Sequence, residues 1–233
     1  MKDTAFFNAQ SASYSSKRYP AKPVIFTQYF FKRRLALTLD ALAPALAAPD
    51  RSVLELGCAD GVVAAAIAER FADSIGTFDA TDIAPEMIAA AQKQYARSAI
   101  RFSVREQSRV EGAYDAIIEV GVLNYTDLEE ELEAVAAALA PGGRYVCSIA
   151  GDSSIQYVLK GGAGYLHARS YAAYERAFKK HFRIIRTQSV GFFIPYLWKL
   201  PALARLVQPI AERILGTVAP GLALEHLYVL EAR

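Results

Sequence analysis

Cysteine is scarce in this chain. Cys58 and Cys147 are the only two, far apart and each inside an apolar run, which excludes a disulfide framework and a cysteine-built zinc cluster. They read as free thiols in a reducing cytoplasm, and no metal is expected. No uninterrupted stretch reaches the roughly 18 apolar residues that a spanning helix needs. The start, MKDTAFFNAQ, carries an acid and amides where an export signal needs an apolar run, so a cytoplasmic location is expected. Charged residues make up 21% against 53% hydrophobic, a balance that rules out disorder and fibrous repeats. Acids are missing between Asp3 and Asp40, where Lys17, Arg18, Lys22, Lys32, Arg33 and Arg34 all occur. Such a segment suits a solvated surface or an anionic partner. A net charge of +2 gives no general footprint for nucleic acid.

What is present is an alternation. Residues 1–22 are polar and read as a mobile lead segment, followed by a helical pattern over 23–48 that Pro44 bends. Short apolar strands are predicted at 51–56, 77–82, 100–104, 114–120 and 144–150. Helices are predicted at 62–71, from Pro85 through EMIAAAQKQYA, and at 127–140, the last ended by Pro141-Gly142-Gly143. Strand and helix in turn imply parallel strands with crossover helices on both faces. After residue 150 a glycine-rich loop, KGGAGYLHARS, leads to a helix at 170–180 and two last strands at 182–192 and 224–231. Between those strands lies an insertion, about 194–221, rich in Pro and Leu. The expected architecture is one doubly wound α/β domain over 1–233, with a mainly parallel seven-stranded sheet and a helical insertion before the last strand. Its parts are an N-terminal segment and helix (1–48), a cofactor-binding core (50–150) and substrate-side elements (151–233).

The informative unit is VLELGCADG, residues 53–61. Gly57 and Gly61 frame a strand-to-helix turn whose backbone can approach a ligand closely. A dinucleotide fingerprint would want glycines at 57, 59 and 62; Ala59 and Val62 depart from it, and no lysine follows for a phosphate loop. Asp82 ends the second strand, where doubly wound sheets place the acid that takes the ribose hydroxyls; Asp79 is the competing acid.

In series, four segments resemble the class I S-adenosylmethionine-dependent methyltransferases. VLELGCADG resembles their glycine-rich first motif and TDIAPEMIAAAQ their second. FSVREQS resembles the segment bordering the adenine, and YDAIIEVGVLNYTD and LAPGGRYVCSI the fourth and fifth strands. The resemblance implies S-adenosylmethionine as cofactor. It would set Gly57, Cys58 and Ala59 against the methionine part and Asp82 on the ribose. Ile83 and Met87 would flank the adenine, Glu106 and Gln107 would lie near its exocyclic nitrogen, and Glu119 and Val120 by the sulfonium and amino group.

Other residues carry two readings each. Cys58 suits a small hydrophobe behind the turn better than a nucleophile. His181 and His226 read as solvent-facing and structural, while His167, on the loop after the fifth strand, is the candidate general base. Tyr14 and Tyr19 belong either to a frayed tail or to a lid, and Arg34 reads as solvated. In the insertion Leu203, Leu206, Val207, Ile210 and Ile214 share one helical face, as expected of a cover for the sheet edge, a lid or a membrane-surface helix. Tyr14, His167, Phe193 and Trp198 are expected to line an acceptor pocket. The reading is a methyltransferase acting on O or N of a small, apolar or lipid-like acceptor, with peripheral membrane contact as a further expectation. The rivals are a sugar or nucleic-acid methyltransferase and a non-catalytic cofactor-binding protein.

Overall fold

The computed structural model describes residues 4–106, 109–153, 169–194 and 196–233, without the side chains of Trp198 and Pro201. Seven strands form one sheet: β1 (Arg51–Leu56), β2 (Ile75–Asp82), β3 (Ile100–Val104), β4 (Tyr114–Val120), β5 (Leu139–Ile149), β6 (Phe182–Phe192) and β7 (Ala223–Ala232). Their order is β3-β2-β1-β4-β5-β7-β6. β7 runs antiparallel to both neighbours, and the other pairs are parallel. Chain order reverses between β1 and β4, with Leu56 level with Thr81 on one side and Glu119 on the other. A crevice opens beyond the carboxyl ends of the strands at such a point.

The helices are α1 (Thr4–Asn8), α2 (Tyr14–Arg18), α3 (Phe26–Leu42), α4 (Val62–Arg70), α5 (Pro85–Gln94), α6 (Leu128–Ala138), α7 (Tyr171–His181) and α8 (Pro201–Val218). Those of α3, α4, α5 and α8 bury Phe30, Ile67, Ile88 and Ala204 in the core of one sheet face. On the other face α6 and α7 bury Leu132, Val135, Tyr174 and Phe178. Local chemistry sets the helix starts: the Asp127 carboxylate accepts from the amides of Glu129 and Glu130, Ser170 caps α7, and Pro85 opens α5.

Three expectations change. The helix at 127–140 stops at Ala138, and the Pro141-Gly142-Gly143 turn lies within β5, whose Leu139 already pairs with Tyr114 across a register shift. Residues 4–18 are not a loose lead but short helices docked on the body. Ser15 is bonded to Asp60, Gln28 donates to the Lys17 carbonyl, and Lys32 donates to those of Pro20 and Ala21. Arg34 is not solvated: it is 4% exposed and its Nη1 donates to both oxygens of Glu225 at 2.9 and 3.0 Å.

The insertion becomes α8, which packs along edge strand β6 and against α3. Gln208 accepts from the Phe192 amide at 2.8 Å and donates to its carbonyl at 2.6 Å. Glu212 accepts from the Gly191 amide and from Arg33. Gln208 and Glu212 therefore face the protein, between Ala204 and Ala211, while Leu203, Leu206, Ile210, Ile214 and Val218 face outward.

Candidate active site

The site begins where β1 stops. Gly57 has φ +70°, and a Cβ there would lie 2.3 Å from Val122 Cγ2, so the turn and the loop after β4 meet only because residue 57 lacks a side chain. Ala59 also adopts positive φ (+49°), a conformation that costs an L residue about 1–2 kcal/mol. Its amide is held in return, donating to Asp82 Oδ2 at 2.9 Å while the Ala84 amide donates to Oδ1 at 2.9 Å. The Asp82 carboxylate thus staples the glycine turn to the end of β2. Burial raises its pKa, against the amides of Ala84, Ala59 and Ile83 that stabilise the charge.

Gly57, Ala59, Asp82, Ile83, Met87 and Val120 share a crevice of about 240 Å³. The loop after β4 adds Gly121, Val122, Tyr125 and Thr126, and the N-terminal segment closes it with Thr4, Phe7 and Tyr14. Donor set and shape fit an adenosyl cofactor: an acid beside a backbone turn that admits no side chain at 57, with the apolar Ile83 and Met87 next to it.

Other expected residues lie elsewhere. Glu119 does not line the crevice. It is 0% exposed on the opposite face of the sheet, where Tyr145 donates to its Oε2, because Ala116 and Ile118 of β4 point to one core and Ile117 and Glu119 to the other. Burial raises the pKa of Glu119 and also that of the adjacent Glu131, which Glu119 raises further, so both favour the protonated form. Cys58 packs in the α3–α4 core, its thiol pKa raised by burial, and is not among the crevice residues. Glu106 stands exposed and pairs with Arg109 at 3.0 Å. Phe193 packs against the α3-side core instead of entering the crevice. Gln107, His167 and the side chain of Trp198 lie outside the described residues.

Sequence reasoning offered an N-terminal lid but missed what fastens it. Asp60, inside the glycine turn and 3% exposed, accepts from the Ser15 amide at 2.9 Å and from the Ser15 hydroxyl, tying α2 to the turn. The two residues are 45 apart, and the only local signal was that the turn carries an acid. Arg18 stacks on the Tyr14 ring at 4.0 Å, so this lid contains the expected tyrosine.

A second chamber of about 170 Å³ adjoins the crevice and shares Phe7, Tyr14, Val120, Gly121 and Tyr125 with it. Phe6 and Phe31 add rings, and Arg18, Arg34, Asn124 and Glu225 supply the polar lining. Glu225 holds Arg34 charged in spite of its burial and also accepts from Ser148 at 2.8 Å. Gly121 has φ +74°, which favours glycine, and a Cβ there would sit 2.8 Å from Arg34 Nη1 and displace the guanidinium.

The arrangement has relatives. Residues 54–145 match a family model described as "Methyltransferase domain". A hybrid PKS-NRPS synthetase, lepA, of Aspergillus flavus is 30% identical over 129 residues, 50% of this chain; the chain spans only 3% of that protein's length. The solved N-methyltransferase NodS of Bradyrhizobium japonicum WM9, in complex with S-adenosyl-L-homocysteine, superposes with a TM-score of 0.69 at 16% identity, covering 99% of this chain and 97% of that one. Geranyl diphosphate C-methyltransferase of Streptomyces coelicolor A3(2) superposes at 0.63 with 17% identity, over 85% of this chain and 76% of its own. Sheet order, glycine turn and strand-end acid give the chain the fold of these solved methyltransferases, and its residues 54–145 match a methyltransferase domain.

Proposed function

We propose that the crevice binds S-adenosylmethionine and that the protein transfers its methyl group to O or N of a small, mainly apolar acceptor seated in the aromatic chamber. The observation that carries this reading is the shared wall: Tyr14, Tyr125 and Gly121 border both cavities, so a molecule in one lies beside a molecule in the other. Asp82 accepts the ribose hydroxyls with lone pairs left over after its two amide bonds, and Ile83 and Met87 flank the adenine. The cofactor supplies an electrophilic methyl on sulfonium. The chain's own contribution is alignment and exclusion of water, for which Phe7 and Tyr14 form the cover. His167 is the residue assigned to receive the acceptor's proton, and His167→Gln should lower kcat with little change in cofactor affinity.

An apolar body suits the rings of Phe6, Phe7, Phe31 and Tyr125. The Streptomyces protein acts, by its name, on geranyl diphosphate, and the Aspergillus relative is a hybrid PKS-NRPS synthetase; both support a small-molecule acceptor. Asp82→Ala removes a charge-assisted contact worth about 1.5–3 kcal/mol, roughly 10–150-fold in affinity. Titration calorimetry with S-adenosylhomocysteine reads this directly, and unchanged affinity would remove Asp82 from the cofactor site.

A further inference from the structure

Helix α8 turns an apolar stripe to solvent. Leu203, Leu206, Ile210, Ile214 and Val218 recur every three or four residues and stand 46, 71, 61, 57 and 72% exposed. Ala204, Gln208, Ala211 and Glu212, on the opposite side, are buried. An ordinary surface helix has the reverse arrangement, apolar side inward. Burial of Gln208 and Glu212 is fixed by their bonds to Gly191, Phe192 and Arg33, so the helix cannot roll over to hide its apolar side without breaking them.

We propose that α8 is a membrane-contact helix that lays this stripe into the surface of an anionic lipid bilayer. Charge chooses the occupant. Between residues 191 and 224 the single acid is Glu212, turned inward onto Arg33, whereas Arg213 is exposed at the edge of the stripe and Arg205 is exposed on the flank of the helix near Tyr29. Apolar side chains flanked by long cations that can reach the headgroups are the pattern of interfacial helices. Tyr196, just ahead of α8, is 81% exposed, an amphipathic ring of the kind that settles at a bilayer interface. From Leu203 to Val218 the stripe runs about 22 Å along the helix. No helix of the described residues is long and apolar enough to cross a membrane, so α8 lies on the surface. A second copy of the chain is the weaker occupant: it would bring the same cations, Arg205 and Arg213, to the interface, with no exposed acid between residues 191 and 224 to pair them. This inference does not depend on the acceptor proposed above.

The test is co-sedimentation of the full chain with phosphatidylcholine vesicles and with 3:1 phosphatidylcholine–phosphatidylglycerol vesicles. The protein should partition onto the anionic vesicles at least tenfold better than onto the neutral ones, and 0.5 M salt should reduce that preference. Leu206→Glu combined with Ile210→Glu should abolish the partitioning, with circular dichroism and S-adenosylhomocysteine binding unchanged because both positions face solvent. Arg205→Glu with Arg213→Glu should remove the preference for anionic lipid. The proposal is overturned if the wild type stays in solution with both vesicles, if it binds both equally, or if the Leu206/Ile210 variant sediments like wild type. It is also overturned if ultracentrifugation shows a dimer that this variant converts to monomer, which would assign the stripe to a second copy.

Discussion

α7 and α8 are both amphipathic in sequence, and they lie on the sheet in opposite senses. α7 turns Tyr171, Tyr174, Ala177 and Phe178 into the core and leaves its charges outside. α8 turns Gln208 and Glu212 inward and leaves Leu203, Leu206, Ile210 and Ile214 outside. The strands beneath them explain the contrast. α7 meets the apolar flank of β6 and β7, where Phe182, Tyr228 and Leu230 await contact. α8 meets the end of edge strand β6, where backbone groups at Gly191 and Phe192 need polar partners. The acids of the two layers differ in the same way. On the α3–α8 side Glu212 and Glu225 face Arg33 and Arg34, whereas on the α6–α7 side Glu119 and Glu131 lie buried with no arginine among their bonded partners in the described residues. Amphipathic period says that a helix has two sides; the partner decides which one is buried.

The largest expected break is Phe178→Ala, which opens a cavity under α7 and should cost about 3–5 kcal/mol in chemical denaturation. Next comes Gln208→Leu, isosteric in outline but leaving the amide and carbonyl of Phe192 without their partner. A loss of about 1–3 kcal/mol per buried group is expected, although leucine is the more apolar residue. The acid contrast is sharpened by pH. Glu119 and Glu131 have folded-state pKa values above the unfolded ones, so the native state retains their protons. Their stabilisation is complete below about pH 4.3 and is lost as pH rises through their raised folded values. Thermal melting should therefore show Tm falling from pH 5 to pH 8, and falling less in the Glu119→Gln, Glu131→Gln variant. Glu55, pushed up to about 8 by burial and by Asp82, acts in the same direction and should leave part of the slope in that variant. The smallest effect is Leu206→Ala, within about 0.5 kcal/mol of wild type in the same denaturation series, the counterpart of Phe178→Ala.

Much of this was legible in the residues. β1, β3, β4 and β6 start and stop where the apolar runs do, because turn formers and charged residues bound each run. Gly57 and Asp82 were legible since backbone conformation and strand-end position are local properties. Glu119 was legible as the acid near the end of β4 but not in its direction: a strand buried on both faces shows no polar alternation, so pattern alone cannot say which core a given residue enters. Arg33 and Arg34 looked solvated because their partners are 179 and 191 residues away. The outward turn of α8 was hidden for a related reason. Periodicity measures how strongly two sides differ, and the direction came from Phe192, a residue of another element.

The placement of β7 has a consequence for how the chain assembles. Among the described residues β6 joins the sheet through β7 alone, and β7 is inserted between β5 and β6. During synthesis β6 therefore emerges with no strand to pair with, and β5 keeps an open edge until residues 223–232 arrive. At about 5–20 residues per second that interval lasts a few seconds, with two unpaired edges open to other chains. β1 to β4, which carry the glycine turn and Asp82, need none of this and can close earlier. Glu225 rides on β7, so Arg34 waits for it: the charged floor of the aromatic chamber is the last part of the site to be built.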